Sequence, residues 1–305
     1  MNAQTHSKLQ TQIQKLDSIS TAPVILQPLL DMLRLPSEEI KIEKVVDLVS
    51  YDSAIAGQCL RLANSPLYGR RQIETIRSAV MALGLDRVRT LLLGLCMNRV
   101  IPPDKWVIEP NAFWRHSLGC ALVTQRMAKR IEYHEPEKAY LAGLLHDIGF
   151  LVNSILYTDI FRECLRSAAE QHVPLHVIEE QMLGFTHCDS GRLQAEQWGL
   201  SKALVEVTHC HHDATLLSTS GPLACLVHLS DLLCRVRYLG YGYDEIMGFE
   251  LGSDVAWENL VASYPALRNM DLVRFTLDID GAMDQIVTTV DSVFGVTQVA
   301  APAAT

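Results

Sequence analysis

Paired cysteines are missing from this chain of 305 residues. The eight it has, Cys59, Cys96, Cys120, Cys164, Cys188, Cys210, Cys225 and Cys234, are scattered with no CxxC among them. Several lie in apolar helical patterns and read as reduced core residues of a cytosolic protein. The N-terminal "MNAQTHSKLQTQIQK" is polar where a secretory signal would carry its apolar centre. The longest apolar run, "LLLGLCM" at 91–97, is far too short to span a bilayer. Positive charge is scarce as well: 26 Lys and Arg against 35 Asp and Glu give a net charge of -9. That balance opposes a general nucleic-acid or anionic-membrane surface. The expectation is a soluble cytoplasmic protein with neither a membrane nor nucleic acid as its partner.

Apolar–polar alternation of convincing length is also absent, which leaves strands no footing. In "IEKVVDLVSYDSAIAGQCLRLANS" the apolar residues recur at three-to-four spacing, and Asp52 is positioned as an N-cap. "NSPLYGRRQIE" breaks the period with Pro66 and Gly69, and Gly84 ends the helix of "SAVMALG". "IPPDKW" marks a boundary near 101–106. Beyond it, "NAFWRHSLGCALVTQRMAKRI" reads as an amphipathic helix and "EKAYLAGLLHDIGFLVNSIL" as one more deeply buried. The predicted fold is all-α. Residues 1–20 form an N-terminal extension and 21–240 a two-lobed module, divided into 21–104 and 105–240. Residues 241–305 form a helical appendage that packs on the second lobe and ends in a fraying tail.

What is present is an uneven set of histidines and aspartates. In "YLAGLLHDIGF" His146 and Asp147 interrupt an apolar run, and a buried carboxylate requires either a counter-charge or a metal. His116, His187, His209, His211, His212 and Asp231 lie on or beside helices in the same part of the chain. Imidazole with carboxylate suits iron, manganese or zinc. Each residue also has a plain structural reading. His116 can be an ordinary half-buried histidine, and Thr186 before His187 can simply cap a helix. The histidines at 209–212 can complement a helix C-terminus, and Asp231 can pair with Arg235 four residues on. His134, His172 and His176 sit in polar, loop-like surroundings and are read as surface residues.

The order H…HD…H…HH…D resembles the metal-binding pattern of the HD phosphohydrolase superfamily. "FWRHSLGCALVTQRMA", "AYLAGLLHDIGFLV" and "EEQMLGFTHCDSGRLQAEQWGLSKALVEVTHCHH" are similar to the HDOD module, the HD-related output domain of bacterial signalling proteins. "LPSEEIKIEKVVDLVSYDSAIAGQCLRLANSPLYG" and "IETIRSAVMALGLDRVRTLLL" resemble that family's N-terminal half, so the likeness runs from about Thr21 to Asp231. It implies His116, His146, Asp147, His187, His211, His212 and Asp231 as ligands of a divalent transition metal. Two ions are implied, iron or alternatively manganese or zinc, with Asp147 bridging them. The sequence departs from the related cyclic di-GMP phosphodiesterases in three places. Phe150 stands where they carry a lysine, "HHDATLLSTSGPLACL" has no Gly-Tyr-Pro loop, and Ala112 replaces a glutamate that completes a larger cluster in some relatives.

Between Arg61 and Arg99 there are seven arginines (61, 70, 71, 77, 87, 89, 99), no lysine, and only Glu74 and Asp86 as acids. Solvated helix faces paired with acids elsewhere account for such a segment. The functional reading is an anionic small ligand or an acidic partner surface, with Arg70 and Arg71 in the loop as first candidates. A DNA-binding regulator rests only on this segment and is opposed by the net charge, which leaves two functions in competition. One is a signalling output protein with an HD-type metal site, little or no catalysis and an unidentified protein partner. The other is a metal-dependent phosphohydrolase acting on a nucleotide or other phosphoester, since two metal ions supply Lewis acidity without help from a lysine.

Overall fold

The computed structural model describes residues 1, 3–19, 39–50, 53–68, 72–85, 87–88, 92, 101, 103–241, 250–264, 267 and 272–294. Everything regular among them is helical, as the missing alternation predicts. Asp52, Gly69 and the tail "TQVAAPAAT" lie outside the described residues.

The first lobe consists of α2 (Ile42–Ser50), α3 (Ser53–Ala63) and α4 (Ile76–Leu83). Thr75 caps α4 by accepting from Ser78 N, and Gly84 ends it at φ 86°, a conformation that costs an L-residue energy. The apolar stripes of these helices bury Val45, Val49, Ile55, Cys59, Leu62, Ala79, Val80 and Leu83. That core is continuous with the core of the second lobe. Arg87 joins the two lobes across their polar edge. Its guanidinium donates to Gln125 Oε1 at 2.6 Å, lies 3.4 Å from Glu137 Oε1, and sits 5.1 Å from the Tyr68 ring centroid.

The second lobe is wound round α5 (Pro110–Arg130). Pro110 and the Glu109 cap fix its start, and from Phe113 to Met127 it is buried on nearly every face. Helix α6 (Pro136–Leu145) crosses it closely, because a Cβ on Gly143 would stand 2.7 Å from the Cys120 carbonyl oxygen. The lobe continues through α7 (Ile148–Leu156), α8 (Thr158–Gln171), α9 (Leu175–Leu183), α10 (His187–Gln197), α11 (Lys202–Cys210), the short α12 (Ala214–Leu217) and α13 (Pro222–Val236). The stretch Pro136–Leu156 has the length and composition of a membrane span, yet 83% of its apolar window is buried inside the protein. It is a core element here.

Two terminal helices complete the fold. Helix α1 (Ala3–Ile19) lays Leu9 and Ile13 on Val152, Phe185 and Leu193 of the second lobe. After α14 (Val255–Ser263), the long α15 (Leu272–Phe294) runs along α5 and also touches α3 and the turn at 66–68. Its carboxylates meet the second lobe's cations: Asp291 pairs with Arg115, Asp278 with Arg130 at 3.7 Å, and Asp280 and Asp284 with Arg237. The appendage therefore lies against both lobes.

Candidate metal centre

The sequence pattern reads residues 137–156 as a single helix, on which adjacent side chains diverge by about 100°. The backbone instead breaks at His146 and Asp147, between α6 and α7. The break brings both side chains to one point, with His146 Nε2 3.2 Å from Asp147 Oδ2. Helix α5 brings His116, whose Nε2 lies 3.0 Å from Asp231 Oδ1 of α13 and 3.7 Å from Asp147 Oδ2. From the other side, His187 begins α10 and His211 follows α11. Their Nε2 atoms stand 3.5 and 3.1 Å from Asp147 Oδ1. Asp147 thus offers one oxygen to His116 and His146 and the other to His187 and His211. His212 completes the group, its Nδ1 3.8 Å from Asp231 Oδ2.

The outer ring nitrogens explain why so many imidazoles point inward. His116 Nδ1 bonds the Leu239 carbonyl at 2.8 Å, His146 Nδ1 that of Gly143 at 2.8 Å, and His211 Nδ1 that of Val207 at 3.0 Å. His187 Nδ1 bonds Glu179 Oε2 at 2.6 Å. Carbonyls and carboxylates only accept, so each Nδ1 carries a hydrogen and each Nε2 is the nitrogen left to face the centre. Ligating histidines are held in this way, through the nitrogen that does not touch the metal. His146 Nε2, His187 Nε2 and Asp231 Oδ2 are buried without a hydrogen-bond partner. Orphaned polar atoms of this kind are costly, and divalent cations held between the imidazoles and the carboxylates would satisfy them. The donor set therefore fits a metal. Two separate groups each have their ligand atoms within 4.8 Å of one another: His116, Cys120, His146 and Asp231, and Asp147, His187, His211 and His212.

The electrostatics agree. Burial raises the Asp147 carboxyl, but His146, His211 and His187 outweigh it and hold the group well below the ordinary carboxylate range. Asp231 is also held well below that range. Burial works against the shift, and the Arg235 guanidinium and then His116 drive it. For His211 burial is overcome by the Cys188 sulfur and by Asp147, pushing the imidazole up to about 10. Burial likewise opposes His187, yet Glu179 and Cys188 raise it well above its usual value. His212 goes the other way, depressed by burial and by His211.

All seven sequence-predicted positions converge on this centre. The plain structural readings hold beside that result in two cases. Thr186 does cap α10, in a reciprocal capping box with Asp189. Arg235 Nε does donate to Asp231 Oδ1, at 2.7 Å, but the pair is buried and forms part of the centre's wall rather than a surface bridge. His209 turns outward toward Asp189, 3.9 Å away, and His134 pairs with Glu135 on the surface. His176, read as a loop residue, stacks on His212 with ring centroids 5.3 Å apart. Arg70 and Arg71 lie outside the described residues. Of their neighbours, Arg77 pairs with Glu43 at 3.0 Å on the surface, as the solvated-pair reading has it, whereas Arg87, paired with Glu137, is largely buried between the lobes.

Three participants were not singled out in the sequence. Cys120 stands four residues after His116 on α5, a spacing that could have flagged it. Glu179 and Tyr241 left no comparable signal. The Tyr241 hydroxyl donates to Asp147 Oδ2 at 2.5 Å, and its ring packs 4.5 Å from His116 and 4.9 Å from Phe150. Phe150 itself is buried among Phe113, Phe161 and Tyr241. Glu179 is buried and also accepts from His187 N at 3.0 Å and Asn153 Nδ2 at 3.1 Å. Glu179→Gln is expected to weaken metal binding about 10- to 100-fold while the fold is kept. Competition with a chromophoric chelator measures this, and unchanged affinity would remove Glu179 from the centre.

Comparison with known proteins follows the same lines. The HDOD domain family model matches residues 19–214. An HDOD domain protein of unknown function from Geobacter sulfurreducens superposes with a TM-score of 0.74 at 25% identity, covering 95% of this chain and 99% of that one. A protein of Shewanella amazonensis, provisionally named a phosphohydrolase, superposes at 0.68 with 22% identity over 92% of this chain and 97% of its own. An uncharacterized protein of Treponema pallidum is 26% identical over 214 residues, 68% of this chain. The chain spans 41% of the length of that curated relative.

Proposed function

Since the chain belongs to the HDOD family, we propose that it is a signal-transduction output module built round a dinuclear HD-type centre and that it carries out little or no catalysis. The ions are divalent transition metals: iron, or alternatively manganese or zinc. His116, His146 and Asp231 would hold one, His187, His211 and His212 the other, with Asp147 between them. When bound, such ions supply Lewis acidity toward a phosphoryl group. The observation that carries the reading is the closure of the site. His116, His146, Asp147, His187, His211 and Asp231 are all buried, Phe150 stands in an aromatic cluster, and Tyr241 covers Asp147. A centre so enclosed is suited to holding the second lobe in one arrangement. Through the shared core and Arg87, that arrangement is coupled to the first lobe, where a protein partner or anionic ligand would bind; Arg70 and Arg71 are the candidates for that contact.

A second reading, a metal-dependent phosphohydrolase, is favoured by one edge of the site. The His212 and Arg235 side chains are 12% and 9% exposed, and a guanidinium there suits a phosphate. Elemental analysis beside a phosphoester screen separates the two. The expected result is about two ions per chain, as the two donor groups suggest, lost in Asp147→Ala, and no turnover by either protein. Turnover that requires both the metal and Asp147 would establish the second reading. Absence of metal from the wild-type chain would overturn both.

A further inference from the structure

The two donor groups are not alike, and the difference lies in a residue that the HD pattern does not contain. Cys120 follows His116 by four positions, so α5 presents both side chains on one face, one turn apart. The sulfur is fully buried and lies 3.5 Å from His116 Nε2. Its group, with His146 and Asp231, has all four ligand atoms within 4.8 Å of one another. Ligands at about 2.0–2.3 Å from a tetrahedral ion stand roughly 3.3–3.8 Å apart, so the sulfur–nitrogen distance is that of two ligands on one metal. Two further acceptors in the group are buried and unpartnered, His146 Nε2 and Asp231 Oδ2. The α5 backbone is fixed at this position, because Gly143 on α6 packs against the Cys120 carbonyl with no room for a Cβ.

We propose that Cys120 is a metal ligand, so that the centre is chemically unequal. One half, His116, Cys120, His146 and Asp231, has mixed nitrogen, oxygen and thiolate donors. The other, Asp147, His187, His211 and His212, has nitrogen and oxygen donors alone. A soft thiolate draws zinc, cadmium or cobalt in preference to manganese, whereas the second half accepts the harder ions. The inference rests on the dinuclear reading above and adds to it the identity of one ligand and the class of ion each half prefers.

The test uses the full chain loaded with cobalt(II). Wild-type protein should show a thiolate-to-cobalt charge-transfer band in the near ultraviolet. Cys120→Ser should lose that band and retain one ion per chain in the nitrogen–oxygen half, whereas Cys188→Ser should keep the band. Two cobalt ions bound with no such band would overturn the proposal while leaving the dinuclear centre intact, as would a band that survives Cys120→Ser. Absence of bound cobalt would overturn both readings. Because a buried substitution can disturb folding, cadmium NMR on the unaltered protein provides a second test. Two resonances, one displaced toward thiolate coordination, support the inference, and two in the nitrogen–oxygen range refute it.

Discussion

Stripping the divalent ions with a chelator is expected to lower the unfolding free energy by about 4 kcal/mol when the free metal had stood a thousandfold above its Kd. The stripped protein should also acquire a pH dependence that the loaded one lacks. Without a cation, Asp147 faces protons on His211 and His187, and those two protons are held more tightly in the folded chain than in the unfolded one. His211 is pushed up from 6.5 to about 10, by Cys188 and Asp147 against the opposing effect of burial, and His187 is raised in the same direction. A group whose folded value is raised stabilises fully below its unfolded value and loses that contribution as pH climbs through the folded one. The stripped protein should therefore weaken as pH rises from 6.5 through the raised value of His187. The His211 loss is offset up to about pH 9 by the Cys188 thiol, which, against burial, His211 and His187 lower to about 6, and it emerges between pH 9 and about 10. Asp147 and Asp231, both depressed, act only at the acid end, where stability falls as pH drops through their folded values. The loaded protein should be flat over the alkaline window, because ligating imidazoles are neutral at both ends of it. Urea midpoints across that window, with and without chelator, measure both effects. Coincident curves would mean that no ion is bound.

How much of this was legible beforehand depends on which interactions are local. Helices announce themselves in periods of three to four residues, and Gly84 and Thr186 were readable as punctuation because their roles involve neighbours a few positions away. The seven site positions stand out in the sequence as part of a histidine and aspartate set, but only the resemblance separates them from His209, because what joins His116 to Asp231 is a crossing of α5 with α13 that no local pattern encodes. The break at His146 and Asp147 was missed because the sequence around it is continuously apolar, and periodicity cannot distinguish one buried helix from two. Glu179 was invisible for a different reason. A buried glutamate within a helical run looks like a solvated one until the His187 imidazole is placed beside it. Tyr241 reaches Asp147 across 94 residues of chain, and spacing carries no information over such a distance.

The short distance between α7 and α10 makes the sharpest mutational prediction. A Cβ on Gly149 would lie 1.8 Å from the His187 carbonyl oxygen and 2.5 Å from Gly191 N. Both obstacles are backbone, so no side-chain rotation relieves the clash. Helix α7 would have to move away from α10, carrying Asp147 from His187, now 3.5 Å distant. Gly149→Ala is therefore expected to cost at least about 3 kcal/mol, the upper end of the overpacking range. Metal content should fall with it, because the two helix ends that carry ligands are the ones forced apart. Gly281 supplies the control. It lies within α15 with nothing inside 4 Å of its added Cβ, so the same substitution there should stabilise by about 0.5–1 kcal/mol through helix propensity. Opposite signs for one chemical change at two glycines isolate the contact from the backbone entropy. Urea unfolding of both variants, with metal counted per chain, gives the comparison. A Gly149→Ala protein as stable and as metal-rich as its parent would show that α7 and α10 do not approach as closely as their backbones indicate.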